Sequence, residues 1–137
     1  MPTAPKFDPQ RRNSRVGPLR LPAEGYQGAI PPWPLVEIPT DAETTVWERV
    51  WRSPQAAAWS RLGWHGPVAR YCRLVAAVGD DFTNASLHGQ VTALEDRLGL
   101  TPKAMRLMLW EVVEDELAEA RSGDSRPDVR KRIRAVE

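Results

Sequence analysis

Nine of the chain's 13 prolines fall within its first 39 residues: Pro2, Pro5, Pro9, Pro18, Pro22, Pro31, Pro32, Pro34 and Pro39. Proline lacks a backbone donor and biases the residue before it away from the helix, so this arm is expected to be extended and irregular. Regular structure is thereby confined to the remainder of a 137-residue chain, which is room for one core and not two. We read residues 1–39 as an extended basic arm, 40–121 as a helical core that also carries oligomerisation, and 122–137 as a basic tail.

From Thr40 onward the punctuation is helical. Thr40-Asp41-Ala42-Glu43 has capping-box spacing, and Val46, Trp47, Val50 and Trp51 follow as an apolar stripe. Ser53-Pro54 reads as a cap with proline at the first helical position, opening a short helix through Trp59 and Leu62 to Gly63. Gly66-Pro67 reads as a break before a third helix carrying Val68, Tyr71, Cys72, Val75 and Val78. Thr83 or Asn84 caps a fourth helix with Leu87, Val91, Leu94 and Leu98 on one side, ended by Gly99. Thr101-Pro102 then opens what reads as the longest helix, roughly 102 to 121. No long alternating pattern is present, so the expected fold class is all-α, a compact bundle of about five helices.

The first half of that last helix, Ala104 to Val113, is apolar almost all round, which demands burial on more than one side. A body this small has little interior to offer two faces. Met105, Met108, Leu109 and Val112 are therefore the candidate oligomer interface. In the second half, Glu111, Asp115 and Glu119 recur at i, i+4 and i+8, with Glu114 and Glu116 beside them. Like charges so spaced repel, and the stripe reads as a dock for something basic, either the chain's own arms or a partner.

Charge is separated by position. Lys and Arg total 19 against 18 Asp and Glu, which excludes a uniformly basic nucleic-acid protein. Yet the first twenty residues hold Lys6, Arg11, Arg12, Arg15 and Arg20 against Asp8 alone, and residues 121–137 hold six basic against three acidic side chains. Between them, residues 40–120 carry 8 basic and 12 acidic side chains. The ends suit an electrostatic grip on phosphates. Candidate DNA-binding residues are Arg11, Arg12, Arg15, Arg20, Arg126, Arg130, Lys131, Arg132 and Arg134.

The sequence carries no recognisable catalytic pattern. No glycine-rich loop precedes Lys-Ser or Lys-Thr, and His65 and His88 stand on different segments. Asp80-Asp81 and Glu95-Asp96 are read as helix-end or solvated acids rather than a metal pair. Cys72, the single cysteine, excludes an internal disulfide and reads as a buried structural thiol in a reducing compartment. The start of the sequence is unlike a secretory signal and no apolar run spans a bilayer. The expectation is a non-enzymatic, non-membrane protein with neither cofactor nor metal.

Two stretches resemble a known family. Trp47-x3-Trp51-x2-Pro54-x-Ala56-x2-Trp59 is similar to the tryptophan block of small terminase subunits from tailed bacteriophages. Leu21-Pro22-Ala23-Glu24-Gly25 and Pro32-Trp33-Pro34-Leu35 before it look like that family's N-terminal segment, and Leu94-Glu95-Asp96-Arg97-Leu98-Gly99-Leu100-Thr101-Pro102-Lys103-Ala104 is similar to its turn between the last core helices. The resemblance spans residues 21–113 and leaves the basic ends outside it. It implies a viral genome-packaging factor in the host cell cytoplasm. Such a factor binds double-stranded viral DNA, forms a ring homo-oligomer (a nonamer favoured), and recruits and regulates the large terminase subunit, an ATPase-nuclease.

Two alternatives stand beside it. The Gly99 turn followed by Lys103 and Arg106 also looks like a helix-turn-helix, which would make the chain a DNA-binding regulator. A non-DNA helical adaptor or scaffold, using the acidic stripe to hold a basic protein, is the other. Trp47, Trp51 and Trp59 are read as core anchors in every case, with Trp33 or Trp64 the candidates for stacking on a base.

Overall fold

The computed structural model describes residues 17–114. In chain order these form β1 (Leu19–Pro22), α1 (Asp41–Val50), α2 (Gln55–Leu62), α3 (His65–Val78), α4 (Ala85–Leu98), α5 (Pro102–Met108) and β2 (Trp110–Val113). The described chain is mostly helical, as expected. It departs from all-α in one short parallel sheet, in which β1 pairs with β2 in the register Leu19 to Trp110 and Pro22 to Val113. Among the described residues no helix is long and apolar enough to cross a membrane.

Several helix ends follow directly from local chemistry. The Thr40 hydroxyl accepts the Glu43 amide at 3.2 Å and Glu43 Oε2 accepts the Thr40 amide at 3.1 Å, closing the capping box. Asn84 Oδ1 accepts the Leu87 amide at the start of α4, and Thr101 Oγ1 accepts the Ala104 amide at the start of α5. Gly63 and Gly99 end α2 and α4 in the left-handed conformation, at φ 70° and 76°.

Two expected boundaries are corrected. Ser53 does not cap α2; its hydroxyl turns back and donates to the Val50 carbonyl at 2.6 Å, and α2 begins at Gln55. Gly66-Pro67 is not a break, because α3 starts at His65 and holds both in its first turn. First-turn amides have no partner within a helix, so a proline there forfeits nothing.

The larger correction is at the end of the described chain. The helix expected over 102–121 stops at Met108, where Leu109 turns left-handed at φ 57°. Residues 110–113 then run as a strand whose backbone groups pair with β1, extended at either end by Leu19 N–H to Leu109 O at 2.8 Å and Ala23 N–H to Val113 O at 2.9 Å. The apolar all-round pattern of 104–113 is thus a short helix with one inward face joined to a strand with another. Trp110, in β2, is buried and fills the space above Gly99, where a β-carbon would collide with its ring.

Three of the block's tryptophans build the core. Trp51 and Trp59 are 0% exposed and Trp47 is 4% exposed. Trp51 meets Trp59 and Tyr26 edge-on at 5.8 and 5.9 Å and Trp47 at a tilt at 5.3 Å, while His65 stacks on it at 5.2 Å. Such ring pairs add about 0.5–1.5 kcal/mol each beyond their buried area. Leu21 of β1, only 1% exposed, joins the same cluster, so the proline-rich segment contributes to the core.

Candidate functional site

The turn between α4 and α5 is held by side-chain hydrogen bonds beside exposed cations. Trp59 Nε1 donates to the Leu98 carbonyl at 2.8 Å, tying α2 to the last residue of α4. Thr101 caps α5 and also donates to Asp96 at 2.6 Å, which orients the entry to that helix. Inward, α5 sets Ala104 into the core with Met105 and Met108 packed against it. Outward it presents Lys103, Arg106 and Leu107, and it contains no acidic residue. The acidic stripe expected on this helix is not there: Glu111 lies on β2, Glu114 follows it in irregular backbone, and Asp115, Glu116 and Glu119 lie outside the described residues.

The candidate interface residues do not share one helical face. Met105 and Met108 are half-buried within the chain, whereas Leu109 and Val112 are exposed at 48% and 42%. With Leu107 at 77% exposure these form an apolar surface around the α5–β2 junction. Of the candidate DNA-binding residues only Arg20 is described, on β1 opposite Glu111 in the sheet register. Arg11, Arg12, Arg15, Arg126, Arg130, Lys131, Arg132 and Arg134 lie outside the described residues.

A feature that sequence reading missed runs along α3 and α4. Pro67, Arg70, Leu74 and Ala77 recur on one face of α3, and Gln90, Leu94, Arg97 and Leu98 on one face of α4. Together they line two adjoining depressions of about 550 and 340 Å³ that share Arg70 and Leu94. Leu35 and Val36 wall one end and Trp64 the other. The apolar members were legible as core positions, but nothing in the linear order announces that Arg70 and Arg97 line one depression from two helices.

Next to this groove a buried charge pins the segment before α1. Arg73 Nε donates to Glu43 Oε1 at 3.1 Å, and its Nη1 reaches Glu37 at 3.2 Å. The Arg73 guanidinium also lies over the Trp33 ring, 5.8 Å from its centre. Trp33 in turn meets Trp47 edge-on, and Trp47 Nε1 donates to the Pro31 carbonyl. Glu43 is buried, so its pairing with Arg73 and the Thr40 amide is what makes its burial tolerable.

Three of the acids considered as a metal site, Asp81, Glu95 and Asp96, are engaged elsewhere. Tyr71 donates to Glu95 at 3.0 Å, and burial together with that carboxylate raises the phenol above its ordinary range. Asp96 accepts from Thr101, and Thr83 hydroxyl and amide hold the Asp81 carboxyl below the usual range. Among the described residues no three His, Cys, Asp or Glu side chains gather as a metal cage. Cys72 is fully buried, and burial pushes its thiol up to about 12, the opposite of an activated nucleophile. Trp33 and Trp64 are both half-buried, Trp64 tilted against Trp110 at 5.9 Å.

Compared with known protein families, characterised proteins and solved structures, the chain matches none.

Proposed function

We propose that this chain is a viral genome-packaging factor of the small-terminase type, acting in the host cytoplasm without catalytic chemistry of its own. It binds double-stranded DNA through its basic ends, assembles with copies of itself into a ring, and recruits and regulates a large terminase subunit. The observation that carries this reading is the Trp59–Leu98 hydrogen bond, 2.8 Å long. It joins the two stretches on which the resemblance rests, and Trp47, Trp51, Ala56 and Trp59 of the first are all buried around it. Residues 47–59 and 94–104 therefore act as one structural unit, as parts of a shared motif would. The exposed Leu107, Leu109 and Val112 supply apolar surface suited to self-association.

A second reading, a helix-turn-helix regulator, gains from the shortened α5. An acidic helix would sit poorly between phosphates, but the helix that exists carries only Lys103 and Arg106 as charges. DNA affinity of the full chain measured against salt separates the two. Each phosphate contact contributes about 0.9 to the slope of log affinity on log salt. Neutralising Arg130, Lys131, Arg132 and Arg134 to Gln should flatten that slope, while Lys103→Gln with Arg106→Gln should leave it unchanged. The reverse pattern selects the regulator, and an absence of salt-sensitive DNA binding selects an adaptor.

A further inference from the structure

The α3–α4 groove has apolar walls; Arg70 lines both of its depressions and Arg97 the one beside Trp64, while Glu37, the one carboxylate of the lining, is paired with Arg73. Arg70 and Arg97 are exposed, and neither makes an ion pair with a described residue, whereas Arg73 is held by Glu37 and Glu43. A groove of this kind fits a short segment with an apolar side chain flanked by carboxylates. The chain contains one such segment: Glu114-Asp115-Glu116-Leu117-Ala118-Glu119-Ala120 places four acids around Leu117. We infer that the α3–α4 groove, with Arg70 and Arg97, receives the acidic segment 114–120 of a second copy of this chain.

The direction of β2 favours a neighbouring copy as donor. Trp110 begins the strand against Trp64, at the groove's end. The chain then advances three residues at about 3.3 Å each, so that Val113 lies beside Ala23, which leads on to the Tyr26 contact with Ser53. The strand thus ends about 10 Å beyond Trp110, beside Ala23 rather than beside Trp64 of the groove. Donor and acceptor are different surfaces, so the contact is head-to-tail, the kind that closes into a ring when the rotation permits. The inference thus deepens the self-assembly part of the proposed function and rests on it.

Charge reversal in the full-length protein tests it, read by sedimentation velocity at micromolar concentration. Arg70→Glu with Arg97→Glu should weaken self-association roughly tenfold or more, as like charges then face each other. Asp115→Arg, Glu116→Arg and Glu119→Arg together should do the same. Mixing the two variant proteins should restore assembly, because each groove then meets a segment of opposite charge. Far-UV circular dichroism checks folding, and Arg70→Ala with Arg97→Ala serves if the reversed groove fails to fold. Unweakened assembly of either variant overturns the groove assignment while leaving self-assembly intact. Recovery only when both sets are combined in one chain overturns the second-copy donor in favour of the chain's own segment. A monomeric unmodified protein overturns the inference and self-assembly together.

Discussion

Two tryptophans that are equally buried should respond to very different extents to the same substitution. Trp51 and Trp59 are both 0% exposed, so replacing either indole by phenyl deletes the same atoms and leaves a similar cavity, about 1–2 kcal/mol in each case. Their N–H groups differ. Trp59 Nε1 donates to the Leu98 carbonyl at 2.8 Å, and that carbonyl, in the last turn of α4, has no partner within the helix. Trp59→Phe orphans it, adding about 1–3 kcal/mol. Trp51 Nε1 is buried with no acceptor among the described residues, so Trp51→Phe removes a group that was already unsatisfied. The two variants should therefore differ by at least about 1–3 kcal/mol, Trp59→Phe being the less stable. Urea unfolding followed by far-UV circular dichroism measures this without relying on indole fluorescence. A Trp51→Phe variant as unstable as Trp59→Phe would refute the assignment of that hydrogen bond as the link between α2 and the α4–α5 turn.

Other consequences follow from the same structure. Gly99→Ala should cost about 2–4 kcal/mol, because the left-handed backbone and the Trp110 ring both oppose a β-carbon; Gly63→Ala, left-handed but with open space around it, should cost only about 1 kcal/mol, and urea midpoints compare them. Glu43→Gln should destabilise by about 1–3 kcal/mol through loss of the buried pairing with Arg73, and faster amide exchange over residues 33–40 should accompany it. The Cys72 thiol is raised in the folded chain, so above about pH 8.5 the unfolded chain loses a proton that the folded one keeps until about 12. Stability should therefore fall as pH rises through that window, by up to about 1.4 kcal/mol per pH unit from this group. Cys72→Ala should reduce the slope in alkaline urea titrations, and an unchanged slope would count against burial as the cause.

Local chemistry was legible where a residue acts on its own neighbours. The capping box at Thr40, the caps at Asn84 and Thr101, and the left-handed glycines 63 and 99 all follow from spacing within one turn of helix. The tryptophans at 47, 51 and 59 read as core for the same reason. What could not be read was pairing at a distance. Leu19–Pro22 and Trp110–Val113 are four-residue strands at opposite ends of the described chain, and each is too short to show an alternation of its own. The switch from α5 into β2 falls at Leu109, a non-glycine residue in the left-handed region that gives no sequence signal. The excess of apolar residues over 104–113, read as one helix buried on two faces, belongs to two elements of different period, which produce that pattern when drawn on one wheel. The groove was hidden for a related reason, since Arg70 and Arg97 line one depression only once α3 and α4 are packed.

Native mass measurement of the full-length protein, alone and with double-stranded DNA, tests the packaging account most directly. It predicts a single discrete assembly of many 15.4 kDa chains that persists when DNA binds. A monodisperse 15.4 kDa species throughout the micromolar range, with or without DNA, would contradict it.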